Sequence, residues 1–313
     1  MKIAVLLATY NGEKYLKEQL DSLFVQTITD FVVYARDDGS SDKTLEILQE
    51  YTSAFPDRLV LIPKLGNKNG AKYNFFELCR EAKKTDAEYF MFCDQDDVWY
   101  KDKIELTLSL MEHSKAETPL LPVLIHTDLE VTDSKLNTIN NSFVSERALD
   151  IKATAPHKLL IQNNVTGCTV MFDRALLEKA VSVAETDNVV LHDWWFSLVA
   201  SLFGRIVFLD RPTMKYRQHG DNVLGSKKIN SVGYIKQRLG NISYIKQTLR
   251  EAAQQAQLLY DTYAGETAPD VASMLYDFSH IYDHHKPGRI RVLMKYKIYK
   301  QGFIQKTGEL MFI

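Results

Sequence analysis

The stretch KIAVLLATYNG, residues 2–12, decides how this chain is read. Lys2 to Ala8 is an apolar run of buried-strand length, and it stops at the polar turn Thr9-Tyr10-Asn11-Gly12. Leu16, Leu20 and Leu23 then recur at helical spacing with charged residues between them. The same unit repeats outward along the chain. Phe31 to Ala35 is a second β-rich run closed by Asp37-Asp38-Gly39-Ser40, and Ser41 or Asp42 can cap a helix carrying Leu45 and Leu48. Leu59 to Ile62 predicts a third strand, Ala71 to Lys84 a helix and Tyr89 to Cys93 a fourth strand. This alternation predicts an α/β fold with a doubly wound, mainly parallel central sheet and helices on both faces. Ligands of such sheets collect beyond the carboxyl ends of the strands. Three of those ends carry polar clusters, Thr9-Tyr10-Asn11, Asp37-Asp38 and Asp94-Gln95-Asp96-Asp97, so a site is expected there.

Beyond residue 100 the pattern loosens. Val123 to Ile125, Thr169 to Phe172 and Arg205 to Leu209 look like strands, with a polar stretch from Thr132 to Ser145 and a helical one from Trp194 to Phe203. From about Gly233 the chain turns helical and polar, with Pro269 and Pro287-Gly288 as breaks. The YIKQ doublet at 234–237 and 244–247 is too short for a structural repeat.

The 313 residues are 45% hydrophobic and 25% charged, ordinary for a globular protein that folds without a disulfide or metal. Cys79, Cys93 and Cys168 are odd in number and widely spaced, which argues against a disulfide framework or structural zinc and fits a reducing, cytoplasmic setting. The first residues lack the pattern of a signal peptide, and no run approaches the roughly 18 apolar residues of a membrane span. The net charge of −2 hides an asymmetry: residues 1–221 sum to −8, whereas residues 222–313 hold 13 Lys/Arg against 7 Asp/Glu, or +6. Two functional regions are implied, the second facing something anionic.

Chemistry concentrates at four places. Asp94, Asp96 and Asp97 repel one another unless a cation or proton is shared, and their hard oxygens suit Mg²⁺ or Mn²⁺. A solvated acidic turn capping a helix near Lys101 to Leu110 is the plain alternative, against which the preceding strand and Trp99 weigh. Asp37-Asp38-Gly39-Ser40 taken alone reads better as a turn than as acceptors for a base imide or ribose hydroxyl. In His192-Asp193-Trp194-Trp195, one carboxylate beside two tryptophans makes a base in an apolar pocket, or else a capped helix start with core tryptophans. Tyr216-Arg217-Gln218-His219-Gly220 puts a cation and an imidazole where a strand gives way to a loop, suited to a diphosphate or a metal. GxGxxG, GxxxxGK[ST] and GxSxG are absent, which disfavours a Rossmann dehydrogenase, a P-loop enzyme and an α/β-hydrolase.

Taken together, these residues resemble glycosyltransferase family 2 enzymes of the GT-A fold, in the bacterial rhamnosyltransferase-like branch. The resemblance runs collinearly over about residues 1–225. It implies nucleotide contacts from Thr9, Tyr10, Asn11, Asp37, Asp38, Asn69, Asn74, Asp94 and Gln95. Asp94-Gln95-Asp96-Asp97 resembles the DXD motif, which implies Mn²⁺ or Mg²⁺ on Asp96 and Asp94, with His219 as a further ligand. Arg217 and His219 match the motif that closes over the diphosphate, and Asp193 falls at the catalytic base. Asp97, Trp99, Thr166, Gly167, His192, Trp194 and Trp195 are expected around the sugar or acceptor. The usual Glu-Asp before the base is His192-Asp193 here, and the QxxRW motif of processive synthases is absent.

The resemblance thus implies an inverting, non-processive transfer of a sugar, rhamnose favoured, from a nucleotide diphosphate sugar to a hydroxyl of a bacterial surface glycan or lipid-linked precursor. A UDP-galactose or UDP-glucose donor is the alternative, and a sugar-1-phosphate nucleotidyltransferase a more distant one. The expected organisation is a catalytic domain at 1–225, its nucleotide-sugar half about 1–100 and its acceptor half about 101–225, then a helical region at 226–313. No nucleic-acid partner is expected, and self-assembly is left open. Residues 284–313 interleave basic and apolar side chains, which predicts either peripheral contact with an anionic membrane, about 1 kcal/mol per basic residue, or packing against the acidic segment 251–283.

Overall fold

Residues 3–219 and 242–313 are described here from a computed structural model. The alternation read from the sequence is present: β1 (Ile3–Thr9), α1 (Leu16–Phe24), β2 (Phe31–Asp37), α2 (Thr44–Ala54), β3 (Leu59–Leu61), α3 (Ala71–Ala82) and β4 (Tyr89–Cys93). Then follow β5 (Val98–Trp99), α4 (Lys103–Glu117), β6 (Val123–Thr132), β7 (Thr138–Asn140), α5 (Phe143–Glu146), α6 (Pro156–Leu159), β8 (Met171–Asp173), α7 (Arg174–Ala180), α8 (His192–Phe203) and β9 (Arg205–Arg217). The last part holds α9 (Ile242–Tyr263), α10 (Pro269–Ser279), α11 (Lys286–Tyr296) and α12 (Phe303–Phe312).

The strands form one sheet in the order β3-β2-β1-β4-β8-β6-β9-β5, with β7 on β6. The β3-β2-β1-β4 portion and the β6–β9 pair are parallel. Short β8 runs antiparallel to both β4 and β6 and joins the two halves. The strand expected from Thr169 is therefore shorter, because Gly167–Thr169 form a 3₁₀ turn before it. β6 and β9 outrun their expected lengths, with irregular register at Thr127, Asp128 and Glu130. β9 thereby carries Arg217 to the acidic loop.

β1 shows why the sheet is covered on both sides. Ala4 and Leu6 belong to one apolar cluster, and Ile3, Val5 and Leu7 to another, as the two-residue period of a strand requires. The second cluster lies under α1, α2 and α4, with Leu20, Leu48 and Met111 fully buried. The first takes α3, α7 and α8, and then α9, whose Leu249, Ala256 and Leu259 are fully buried there. Leu275, Leu293 and Ile313 join the same cluster, so the C-terminal helices complete the core over one face of the sheet. Pro269 and Pro287 open α10 and α11, where the missing N–H is harmless.

Gln255 of α9 accepts the Val190 N–H at 2.9 Å, tying that helix to the segment entering α8. The basic region does meet the acidic one, through Lys295 and Tyr296 to Asp277. The expected boundary near 225, the basic residues Lys227, Lys228, Lys236 and Arg238 and the first YIKQ lie outside the described residues.

Candidate active site

Parallel pairing sets Thr9 opposite Asp37, so the first two polar strand ends abut. Asp37 is consumed by its own turn. It accepts Thr9 Oγ1 at 3.0 Å, the Gly39 and Ser40 N–H groups at 3.0 and 2.8 Å, and Ser40 Oγ at 2.5 Å. The turn reading of that residue describes its contacts, and direct nucleotide contact would have to displace them. Asp38 accepts the Gly70 N–H at 2.6 Å through one oxygen. The other oxygen carries no hydrogen bond, with Lys64 Nζ 3.3 Å away. Asn69 accepts from Lys64 at 2.6 Å, while Asn74 is buried and bonds Arg36 and the Thr9 and Arg36 carbonyls.

Gln95 pairs with both backbone groups of Tyr10 at 2.8 Å, fastening the first turn to the acidic loop. Gly12 permits this closeness: a Cβ there would lie 2.2 Å from Gln95 Oε1. Asn11, at φ 47°, accepts the Ser41 N–H. The Tyr10 ring is 56% exposed, open to stack on a ligand.

The acidic loop brings Asp94, Asp97 and Cys168 together, with potential ligand atoms all within 4.8 Å of one another. Desolvation, then repulsion from Asp96 and Asp193, pushes Asp94 up to about 7. Asp97 is fully buried and driven well above the carboxylate range by the same burial. One of its oxygens accepts the Arg217 N–H at 3.2 Å and the other carries no hydrogen bond. Asp96 meets His219 Nε2 at 2.7 Å. An unsatisfied buried carboxylate among further carboxylates, with an imidazole alongside, fits a divalent cation of the Mg²⁺ or Mn²⁺ kind.

Lys103, missed in the sequence, lies fully buried beside this loop. Its Nζ donates to the Cys168 carbonyl at 2.6 Å and stands 4.3 Å from the Trp99 ring centroid. Burial pulls it down to about 8. Its signal was positional: Lys103, Thr107 and Met111 share the inward stripe of α4.

Two expected site residues are engaged by the protein itself. Arg217 is the first. Its side chain is buried over the Tyr15 ring, its Nε and Nη1 bond the Asp96 and Ser134 carbonyls at 2.8 Å, and its Nη2 pairs with Glu18. With its nitrogens engaged by protein oxygens, it braces the acidic loop. Trp195 does not line a pocket: it is fully buried, donates to the Ala180 carbonyl at 2.9 Å and lies against Tyr263. Adjacent helical residues diverge by about 100°, which leaves Trp194 half-buried with its indole N–H on the Leu159 carbonyl at 2.6 Å. Trp99 is likewise buried.

Asp193 sits in the first turn of α8. Its carboxylate accepts the Gly167 N–H at 3.0 Å and its own neighbour's Trp194 N–H at 2.6 Å, so it is not the helix cap. Burial pushes it up to about 6 against the pull of those two donors. A Cβ at Gly167 would stand 3.0 Å from His192 Nε2 and 3.2 Å from Asp193 Cβ, so a larger residue would press on both side chains. His192 stacks on Phe75 at 4.0 Å, and burial holds it neutral, down to about 3. Half-buried Thr166 closes the turn by accepting from Thr169 Oγ1 at 2.7 Å.

The raised Asp94 carries a stability consequence. Its ionisation opposes folding above the unfolded value near 4, fully so above about 7. Asp94→Asn should therefore raise the unfolding midpoint of the metal-free protein at pH 8, by about 2–4 °C per kcal/mol relieved, and leave it unchanged at pH 4. Calorimetry at the two pH values checks this.

Crowded acids at the strand ends thus stand near a carboxylate, Asp193, set in an apolar wall. The chain belongs to glycosyl transferase family 2, whose profile it matches over residues 4–180. It is 30% identical over 228 residues to the dTDP-rhamnosyl transferase RfbG of Shigella flexneri, covering 70% of this chain and 74% of that protein. Two other curated relatives, each of at most 26% identity, are matched over 60% of their length. Among solved structures it resembles residues 1–349 of S. aureus TarS in complex with UDP. The TM-score is 0.56 at 17% identity, over 92% of this chain and 73% of that one. It also resembles the mannosyltransferase PcManGT from Pyrobaculum calidifontis in complex with GDP-Man and Mn²⁺. There the TM-score is 0.52 at 18% identity, over 99% and 78% of the two chains. The fold is GT-A, and family membership leaves the nucleotidyltransferase alternative without support. Among the described residues no helix is long and apolar enough to cross a membrane.

Proposed function

We propose that the protein is an inverting, non-processive rhamnosyltransferase that moves rhamnose from dTDP-rhamnose to a hydroxyl of a surface glycan or its lipid-linked precursor. The observation that carries this reading is Asp193, a desolvated carboxylate held by the Gly167 N–H and near enough to the acidic loop to raise Asp94. Asp193 accepts the proton of the acceptor hydroxyl. That oxygen bonds to the anomeric carbon as the bond from this carbon to the diphosphate breaks on the opposite face.

Asp38, through the oxygen that carries no hydrogen bond, and the exposed Tyr10 ring hold the nucleotide. Thr9, Asn11, Asp37, Asn69, Asn74 and Gln95 shape the turns around it. Asp96, with Asp94 and His219, would hold Mn²⁺ or Mg²⁺, which when bound supplies Lewis-acid stabilisation of the diphosphate. Arg217 braces that loop, Lys103 supplies a positive charge beneath it below about pH 8, and Asp97 and Trp99 pack behind it. Thr166, Gly167, His192 and Trp194 form the acceptor wall. The buried, unpaired Cys79, Cys93 and Cys168 fit action on the cytoplasmic side.

The rhamnosyl donor rests on the likeness to RfbG. A UDP-hexose is the second reading, favoured by the fold shared with UDP-bound TarS. Nucleotide release from dTDP-rhamnose, UDP-glucose, UDP-galactose and UDP-N-acetylglucosamine tests the donor, with dTDP-rhamnose expected fastest. Retention of anomeric configuration in the product would sink the inverting mechanism.

A further inference from the structure

The geometry points to α11 and the end of α12 as a docking face for an anionic lipid bilayer, with Met294 and Met311 entering the interface between cations. Residues 284–313 carry seven Lys/Arg and one acid, Glu309. Glu309 is only 1% exposed and turns inward to accept the Lys300 N–H at 2.8 Å. The outer surface of this segment is therefore left with cations alone.

A helical wheel separates the two sides of α11. Val292 and Leu293 are buried in the core. Counting about 100° per residue from Lys286, Met294 falls at about 80°, Arg291 at about 140° and Lys295 at about 180°. All four are exposed, so the methionine lies in the middle of a basic arc opposite the core. Lys286 Nζ donates to the Met311 carbonyl at 2.6 Å, which sets the second exposed methionine beside the same arc. Met294 and Met311 are 63% and 55% exposed. Lys295 also pairs with Asp277, so Lys286 and Arg291 carry most of the uncompensated charge.

Unbranched apolar side chains ringed by cations match the boundary between phosphate headgroups and acyl chains. A soluble polyanion would use the cations and leave the methionines in water. The same tail reaches the acceptor half: Gln301 accepts the Asp150 N–H at 2.8 Å and donates its own N–H to Gln162 at 2.9 Å. Docking needs nothing from the transfer chemistry itself.

Co-sedimentation of the full chain with vesicles tests it. The wild type should bind vesicles containing phosphatidylglycerol, lose that binding in high salt and ignore pure phosphatidylcholine. The triple variant Lys286→Gln, Arg291→Gln, Lys295→Gln should bind about 25- to 100-fold more weakly, from about fivefold each for Lys286 and Arg291 and less for the paired Lys295. Met294→Ser should weaken binding with all cations in place. An unchanged melting temperature and unchanged nucleotide release would show that the variants remain folded and active. Wild-type binding by the triple variant, indifference of Met294→Ser, or self-association through this face in place of vesicle binding would each overturn the proposal. Absence of nucleotide release from every donor would undo the proposed function and leave the vesicle result standing.

Discussion

Asp193→Asn should lower sugar transfer by about 10²–10⁴-fold while leaving donor affinity within about twofold. The amide matches the carboxylate in size, and its oxygen can still accept the Gly167 N–H, while the bond from the Trp194 N–H to the other oxygen is lost. What it cannot do is take the proton of an acceptor hydroxyl. The pH profile adds a readout that a structural defect would not imitate. With Asp193 raised to about 6, the wild-type kcat/KM should climb with pH up to about 6 and then level, because only the anion is a base. In the variant that limb should vanish from the residual activity. Transfer by Asp193→Asn at the wild-type rate would remove the base assignment.

Trp195→Ala should give the largest stability loss, about 3–5 kcal/mol in urea unfolding. The ring fills a fully buried site between α7 and α9, and its indole N–H is satisfied by the Ala180 carbonyl. Removing it leaves a cavity and an unpaired carbonyl. Trp194→Phe removes only the half-buried hydrogen bond to Leu159, about 1 kcal/mol. Nucleotide release per folded molecule should survive in both. Unaltered stability with lost acceptor affinity in Trp195→Ala would return that side chain to the pocket.

These two tryptophans show how far the sequence could be read. The repeating units made β1 legible as an apolar run of buried-strand length, but which of its residues face which core shows only in the structure. The three polar strand ends were legible because polar residues interrupt apolar runs there. Direction was harder. Arg217 announces a cation, but whether it points toward a ligand or back to Asp96 and Glu18 depends on a strand pairing more than 80 residues away in sequence. Lys103 was readable from its helical position, yet a lysine on the inward stripe contradicts the usual preference for solvent. Three-residue β8 has too little sequence to reveal that it would insert antiparallel between β4 and β6.

The bond from Gln255 to Val190 limits how this enzyme can be rebuilt. The segment that delivers Asp193 is held from behind by a helix some 60 residues further along, and that helix shares its apolar contacts with α8. Grafting a new acceptor specificity by exchanging only the stretch around Thr166 to Trp195 would pair foreign residues with the native α9. A swap that moves α9 together with that stretch keeps both sides of the joint from one parent. On the acceptor role proposed for that stretch, the unit to recombine is discontinuous in the chain.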